Sequence, residues 1–192
     1  YTITPNEGYE ISDVLVDGVS IGVVTTYTFD PLDNDHTITV TYKIKNYMVI
    51  TKASPVEGGT TSEDGTYSYN ELVTITATVN EGYQFVKWTE TSEQGSTVST
   101  NLSFQFNIKC DTTFVANYKH QEYNITYEVG VVTIGNTSDL PTTYTVDSHA
   151  TIPDAEATHD FYVFSGWHLD SPDGAIVNNT DDLGGGNHTL YA

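Results

Sequence analysis

The chain has 192 residues and carries 26 acidic side chains against six lysines and no arginine, a formal net charge of −20 at pH 7. Nucleic acids and anionic membranes are bound through basic side chains, so this charge excludes both as partners of the segment. No stretch is apolar over the length of a membrane span, and no membrane insertion is predicted. The single cysteine, Cys110, excludes an internal disulfide and is interpreted as a small apolar side chain.

The sequence repeats itself with a period near 75 residues. Residues 6–9 and 80–83 both read Asn-Glu-Gly-Tyr, and the pattern of residues 35–43 returns at residues 111–119. A weaker third copy ends the chain. A repeat of this length, made of strand-like segments, predicts tandem small β domains. We predict three modules: the C-terminal part of a truncated module at residues 1–44, a second module at residues 45–119 and a third at residues 120–192.

Strands are predicted where apolar and polar residues alternate. The alternation is clear at residues 36–42, 73–79 and 114–118, and no segment keeps a helical period beyond two turns. In residues 73–79, for example, valine, isoleucine and alanine alternate with threonine, so we expect one buried face and one wet face. Strands of this kind form antiparallel sheets with one covered side.

Turn residues separate the predicted strands. Gly8 and Gly82, in the repeated Asn-Glu-Gly-Tyr segment, are expected to adopt positive φ, which costs glycine little. Residues 17–18 (Asp-Gly) are predicted to close a hairpin, and residues 58–59 and 63–65 to bracket another. The chain would therefore pass through a series of short, locally closed strand pairs.

Short connectors are predicted between the modules, at residues 43–46 and 119–122. Four residues are too few for free swinging, so we expect an extended rod with limited bending. In the third module, residues 153–158 (Pro-Asp-Ala-Glu-Ala-Thr) are the best helix candidate, with one or two turns. The predicted fold class is all-β and mainly antiparallel, with at most this short helix. The sequence starts and stops within the repeat pattern, so we expect a segment of a longer chain with neighbouring domains.

The order of aromatic and glycine markers resembles known repeat families. Residues 123–192 hold a Tyr-rich first strand, then an aromatic-Gly-Trp strand that ends at Trp167, and finally Thr-Leu-Tyr-Ala, which resembles the Listeria–Bacteroides (InlB B-type) repeat. Residues 46–119, with Gly58-Gly59 and the strand that ends at Trp88, resemble the divergent InlB B-repeat. Residues 1–44 are similar to the second half of a related bacterial surface repeat.

The resemblance implies a β-grasp-like or small β-sandwich module in secreted or wall-attached bacterial proteins. Such modules act as stalks, spacers and adhesive segments, and the families carry no catalytic residues to transfer. The third module departs from the family pattern in two loops, at residues 129–131 and 184–187. Those loops are therefore expected to differ in shape from the family's usual turns.

Two tryptophans occupy equivalent positions in the repeat. Trp88 lies near Tyr83, and Trp167 lies near Tyr162. A packing requirement is shared by all copies, so repetition favours the interpretation that these rings fill the module cores. The alternative is that they stack against a sugar ring on a flat β face. These four residues are then the candidate ligand-binding residues.

Acidic turns are candidate calcium ligands, because calcium takes six to eight oxygen atoms. Three clusters are present: Asp30, Asp33 and Asp35; Asp170 and Asp173; and Asp181 and Asp182. None of them matches the EF-hand loop, and solvated turns are the other interpretation. The six histidines show no short spacing typical of a zinc pair. No cofactor is predicted, with calcium as the open alternative.

These features predict a non-enzymatic stalk or spacer, located extracellularly at a bacterial cell surface or cell wall. Repeated small cores, short connectors and strong like charge favour extension over collapse. Two alternatives stay open. The segment could recognise a host glycan or host protein through exposed aromatics or edge strands, or it could belong to a secreted carbohydrate-active enzyme whose catalytic domain lies elsewhere.

Overall fold

The computed structural model of the chain describes residues 1–30, 34–91, 94–130, 137–155 and 163–192. In these ranges the protein forms sixteen β-strands and three single-turn 3-10 helices. Most strand pairs are antiparallel, which confirms the predicted all-β class. No helix in the described ranges is long and apolar enough to cross a bilayer. The module ranges 1–44, 45–119 and 120–192 stay a prediction and are used below as the names module one, two and three.

Module one is a three-stranded antiparallel sheet. Its strands are ordered β2-β1-β3, with bounds β1 Tyr9–Val16, β2 Val19–Gly22 and β3 Ile38–Ile44. Asp17 and Gly18 join β1 to β2 with φ values of 51° and 79°, which confirms the predicted tight hairpin and is the geometry of a type I′ turn. A small core forms on one face around Ile3, Ile11 and Val14.

Module two distributes its strands over two sheets. Their bounds are β4 Asn46–Ser54, β5 Gly59–Thr61, β6 Gly65–Ser68, β7 Leu72–Val79, β8 Tyr83–Glu90, β9 Thr97–Ser99, β10 Ser103–Asn107 and β11 Thr112–His120. One sheet has the order β6-β4-β11-β8-β9 and the other β10-β7-β5. The first 3-10 helix, Val56–Gly58, precedes β5.

Aromatic rings connect the two sheets of module two. Phe104 on β10 contacts Trp88 on β8 and Phe114 on β11, with ring centroids 6.0 and 5.4 Å apart. Phe106 adds a contact with Phe114 at 4.8 Å. Because β8 and β11 belong to one sheet and β10 to the other, this module has the small-sandwich form.

Module three forms one mixed sheet. Its order is β13-β12-β16-β14-β15, with bounds β12 Tyr123–Glu128, β13 Thr143–Tyr144, β14 Trp167–Leu169, β15 Ile176–Val177 and β16 His188–Tyr191. The first strand, β12, pairs in parallel with the last strand, β16, and the other pairings are antiparallel. The remaining 3-10 helices are Thr137–Asp139 and Thr180–Asp182. A core of nine buried residues includes Ile125, Trp167 and Leu190.

Several sequence predictions about elements need correction. The segment between residues 58 and 65 does not close a hairpin, because β5 pairs with β7 and β6 pairs with β4. Val79, predicted to face the core, is 39 % exposed at the end of its strand. Of the helix predicted at residues 153–158, the described residues 153–155 are not helical, and the rest lies outside the described ranges.

The connectors between modules are shorter than predicted. β3 ends at Ile44 and β4 begins at Asn46, which leaves one residue between them. β11 ends at His120 and β12 begins at Tyr123, which leaves two. The strands themselves therefore run almost to the boundary on both sides.

By internal contacts the chain divides into two compact units. The first comprises Tyr1–Lys52, Thr61–Ala77 and Lys87–Ala116, and the second Ala53–Thr60, Thr78–Val86 and Asn117–Ala192. All five borders between the units along the chain fall within module two. The boundary between modules one and two lies in the first unit, and the boundary between modules two and three lies in the second.

Candidate functional site

The two tryptophans lie in the module interiors. Trp88 is 0 % exposed and Trp167 is 1 % exposed. The indole N–H of Trp167 donates to the carbonyl oxygen of Pro153 at 2.9 Å, and that of Trp88 points to the carbonyl oxygen of Leu102 at 3.4 Å. Tyr127 packs against the Trp167 ring edge-on at 4.9 Å. Neither indole presents a ring face to solvent on which a sugar could stack.

Tyr83, the third candidate for ligand stacking, is half-buried beside two residues of module three. Its hydroxyl lies 3.0 Å from Nε2 of His120, and Asp147 Oδ2 lies 3.1 Å from the same nitrogen. Burial, together with the charges of Asp147 and Glu57, raises the pKa of Tyr83. This tyrosine is therefore engaged in contacts within the protein. Tyr162, the fourth candidate, lies outside the described residues.

A histidine and an aspartate that the sequence patterns did not single out meet in module one. Asp17, at the turn after β1, has a φ of 51°. Its Oδ2 lies 2.7 Å from Nδ1 of His36, and its Oδ1 accepts the backbone N–H of Thr37 at 2.8 Å. These two contacts, the backbone N–H first, hold the pKa of Asp17 below its usual value.

The same arrangement recurs in module three. Asp170, after β14, has a φ of 57°. It lies 2.8 Å from Nδ1 of His188 and accepts the backbone N–H of Thr189 at 3.0 Å. The backbone N–H and the imidazole again hold the pKa of Asp170 below its usual value. The sequence pattern behind both contacts is a His-Thr pair at or just before the last strand of the module. Its histidine follows the aspartate by 19 residues in module one and by 18 in module three.

Three of the aspartates proposed as calcium ligands are engaged by nearby groups of the protein. Asp181 lies 2.6 Å from Nδ1 of His149, and Asp182 accepts the backbone N–H groups of Asn178 and Asn179. Asp170 is engaged as described above. Within the described ranges, no group of three or more histidine, cysteine, aspartate or glutamate side chains is placed to hold a metal ion.

The first acidic cluster falls partly outside the described residues. Asp30 and Asp35 are both exposed, and Asp33 lies outside the described ranges. Cys110 is a free, exposed cysteine. The prediction that Cys110 serves as a small apolar side chain is therefore wrong: this residue lies in the loop between β10 and β11 and faces solvent.

Exposed aromatic side chains line a shallow groove on module one. Tyr9 on β1 and Tyr42 on β3 are 43 % and 46 % exposed. Together with Thr4 and Asn6 they enclose a volume of about 230 Å³. Two tyrosine rings beside a hydroxyl and a carboxamide offer the apolar faces and the polar groups that a sugar ring uses. Sequence reasoning missed this pair because the two strands had to be paired before their tyrosines could be placed together.

Comparison with known families gives two consecutive matches. The divergent InlB B-repeat domain matches residues 49–122, and the Listeria-Bacteroides repeat domain matches residues 123–192. No curated protein and no solved structure gives a match. The two matches together span the chain from residue 49 to its last residue.

Proposed function

Because residues 49–192 belong to the InlB B-type repeat families, as a divergent InlB B-repeat followed by a Listeria-Bacteroides repeat, we propose that the chain is a non-catalytic stalk or spacer segment of a bacterial cell-surface protein. Repeats of these families occur in bacterial surface and secreted proteins and are generally non-catalytic. The proposed location is extracellular, at the cell surface or cell wall. The segment would hold neighbouring domains of the same chain apart.

The observation that carries this proposal is the direct succession of two such repeats. Each repeat has its own buried tryptophan, Trp88 in module two and Trp167 in module three. The connector between them is only two residues long. Small separate cores joined by short connectors support a role in which length and separation, rather than a cleft, are the useful property.

The net charge of −20 supports the same role. Like charges on successive modules repel each other and disfavour association with other copies. Salt screens this repulsion over about 10 Å at 0.1 M. In the proposed role, charge therefore helps to keep neighbouring modules apart, and the short connectors contribute more to this than charge does.

A second candidate function is recognition of a host glycan. The observation that favours it is the groove lined by Tyr9 and Tyr42, since the buried tryptophans offer no stacking surface. Aromatic rings that are almost half exposed on neighbouring strands are the usual platform for a sugar. In this case the segment would be adhesive as well as a spacer.

Binding of the purified chain to glycan and matrix-protein arrays, with and without calcium, separates the two candidates. The spacer function predicts no saturable binding. The glycan-binding function predicts saturable binding that is lost in the double variant Tyr9→Ala/Tyr42→Ala and kept in Tyr1→Ala, which removes a 75 % exposed tyrosine outside the groove. Saturable binding that survives the double variant would contradict the groove as the site and would also count against a simple spacer.

A further inference from the structure

The repeated Asn-Glu-Gly-Tyr segment forms the same turn at both of its positions. The backbone N–H of Tyr9 donates to the carbonyl oxygen of Asn6 at 3.1 Å, and that of Tyr83 donates to Asn80 at 3.2 Å. The glycines have nearly equal φ values, 78° for the first copy and 80° for the second. Sequence repetition here reflects repetition of backbone geometry.

Each turn is hydrogen-bonded to the connector that leads into the next module. The carbonyl oxygen of Gly8 accepts the backbone N–H of Lys45 at 2.8 Å, and that of Gly82 accepts the backbone N–H of Gln121 at 2.7 Å. Lys45 and Gln121 are the first residues after β3 and β11, the last strands of their modules. The turn of one module thus holds the point at which the chain enters the next.

A side chain of the next module packs on the glycine of each turn. A Cβ atom at Gly8 would lie 1.9 Å from Cδ1 of Tyr69, and one at Gly82 would lie 2.3 Å from Cγ2 of Val146. Real Cβ atoms do not approach other atoms this closely, so only glycine leaves the space that these side chains fill.

The two packed side chains occupy equivalent positions. Tyr69 lies two residues after Tyr67, which pairs with Tyr47 on the first strand of module two. Val146 lies two residues after Tyr144, which pairs with Tyr123 on the first strand of module three. The same position of the incoming module therefore meets the same glycine of the preceding one at both boundaries.

Polar contacts add to each boundary with different residues. At the first, a hydrogen bond to Glu7 and burial raise the pKa of Tyr69. At the second, His120 lies within 3.1 Å of both Asp147 and the Tyr83 hydroxyl. The two boundaries share the glycine contact and the backbone hydrogen bond, and they differ in their polar side chains.

We propose that the Asn-Glu-Gly-Tyr turn is the joint by which each module is fixed to the next. The glycine leaves room for one side chain of the incoming module, and the glycine carbonyl fixes the connector. The joint keeps the last strand of one module and the first strand of the next from opening locally at the boundary. The inference concerns the connection between modules and holds whether the segment serves as a spacer or as an adhesive segment.

Trypsin provides a local test of the joint, because its only cleavage sites here are the six lysines. Lys119 lies in β11 next to the second joint, so cleavage there needs local opening of the strand. The variant Gly82→Ala places a Cβ against Val146. The matched control is Gly184→Ala in module three, where φ is also positive, +68°, but a Cβ would meet nothing within 4 Å.

The joint predicts that native-state cleavage after Lys119, followed by mass spectrometry of the fragment 120–192, is about tenfold faster in Gly82→Ala than in Gly184→Ala, since cleavage follows the population of the open state. Adding Val146→Ala to Gly82→Ala removes the methyl groups that the new Cβ meets and should restore most of the control rate. If Gly82→Ala alone fails to fold, recovery of folding in the double variant gives the same support. Equal rates in Gly82→Ala and Gly184→Ala, or no recovery in the double variant, would overturn the proposal.

The first joint gives an independent repeat of the test. Gly8→Ala places a Cβ against Tyr69, whereas Gly22→Ala has the same positive φ, 79°, in open space. Cleavage after Lys45 should be about tenfold faster in Gly8→Ala than in Gly22→Ala, by the same dependence on local opening. A difference at the second joint without one at the first would contradict a shared joint.

Discussion

Buried indoles are the largest side chains in the cores of modules two and three. Trp88 packs against Phe104 of the opposite sheet, and Trp167 packs against Tyr127 and Phe164. A small domain has one thin core, so a single large side chain accounts for much of its buried apolar area. Each indole is therefore expected to dominate the stability of its own module.

Replacing either tryptophan with alanine should cost about 3–5 kcal/mol in the free energy of unfolding, because the loss of buried area leaves a cavity. Leu72→Ala is the control, since Leu72 is 58 % exposed. Chemical denaturation followed by circular dichroism measures the free energy of unfolding of the tryptophan variants and of the control. A loss below about 1 kcal/mol in Trp88→Ala or Trp167→Ala, comparable with a surface change, would contradict the placement of the indole in the core.

The contacts of Asp170 predict a dependence of stability on pH. Its pKa is lowered in the folded protein by the backbone N–H of Thr189 and by His188. A lowered carboxyl pKa stabilises the fold fully above the unfolded value of 3.8, and this contribution is lost as the pH falls through the lower folded pKa. The contribution of Asp170 to stability is therefore lost at pH values below about 3.8.

Asp170→Asn keeps an oxygen that can accept the Thr189 N–H but removes the titration. Wild-type protein should lose more thermal stability between about pH 5 and pH 2.5 than the variant, by at most about 2–4 °C in Tm, because a half-exposed carboxylate contributes at most about 1 kcal/mol. Asp173→Asn, an exposed aspartate in the same loop, should leave the acid-induced change as in wild type. Identical pH profiles for wild type and Asp170→Asn would exclude this role of Asp170.

At the scale of elements, Tyr118 on β11 covers the glycine pair at the start of β5. Its hydroxyl donates to the carbonyl oxygens of Thr78 and Thr60, at 2.9 and 3.2 Å. Burial raises the pKa of this tyrosine. Cβ atoms at Gly58 and Gly59 would lie 2.5 and 2.7 Å from the Tyr118 side chain. The paired glycines are thus needed for close approach of the ring.

Gly59→Ala should destabilise module two by about 1–3 kcal/mol, the usual cost of adding an atom to a filled space. The φ of Gly59, 166°, is extended backbone that any residue adopts. The cost would therefore come from the Thr78 carbonyl oxygen, 2.0 Å from the new Cβ. Denaturation midpoints should fall for Gly59→Ala and stay unchanged for Val56→Ala, a change at a 71 % exposed side chain. Equal midpoints for Gly59→Ala and wild type would show that this space is not filled.

Local sequence patterns were sufficient for some elements and insufficient for others. Alternation predicted β7 with its buried Val73, Ile75 and Ala77, and the Asp-Gly pair predicted the first hairpin, because both signals act over a few residues. The partners of β5 and β6 could not be predicted this way, since β5 pairs with β7 and β6 with β4 rather than with each other, although they are neighbours in sequence. Pairing over long range depends on the whole sheet.

Prediction of the candidate site had the same limit. Repetition identified Trp88 and Trp167 as important positions, but it could not decide between packing and stacking. Burial of Trp88 depends on Phe104 from another sheet, which becomes visible only when the sheets are placed. The groove at Tyr9 and Tyr42 and the contacts of Asp17 with residues 36–37 likewise depend on strands that pair across a gap in sequence.

At the scale of the whole molecule, the proposed spacer function depends on separation that the joints maintain. Gly8 and Gly82 leave the space in which the next module packs, and the connectors are one and two residues long. Charge repulsion assists this but is weakened by salt. The central claim is therefore that each module boundary is held by contacts and not by charge.

The most direct measurement of this claim is the distance distribution between spin labels on the two sides of the first boundary, in modules one and two. Labels at Val19→Cys and Leu72→Cys use side chains that are 67 % and 58 % exposed, in a Cys110→Ser background that removes the native thiol. A boundary held by its joint should give one narrow distribution that stays the same when salt is raised to about 1 M, where the screening length falls to about 3 Å. A broad distribution, or a shift to shorter distances at high salt, would contradict a spacer held by its joints.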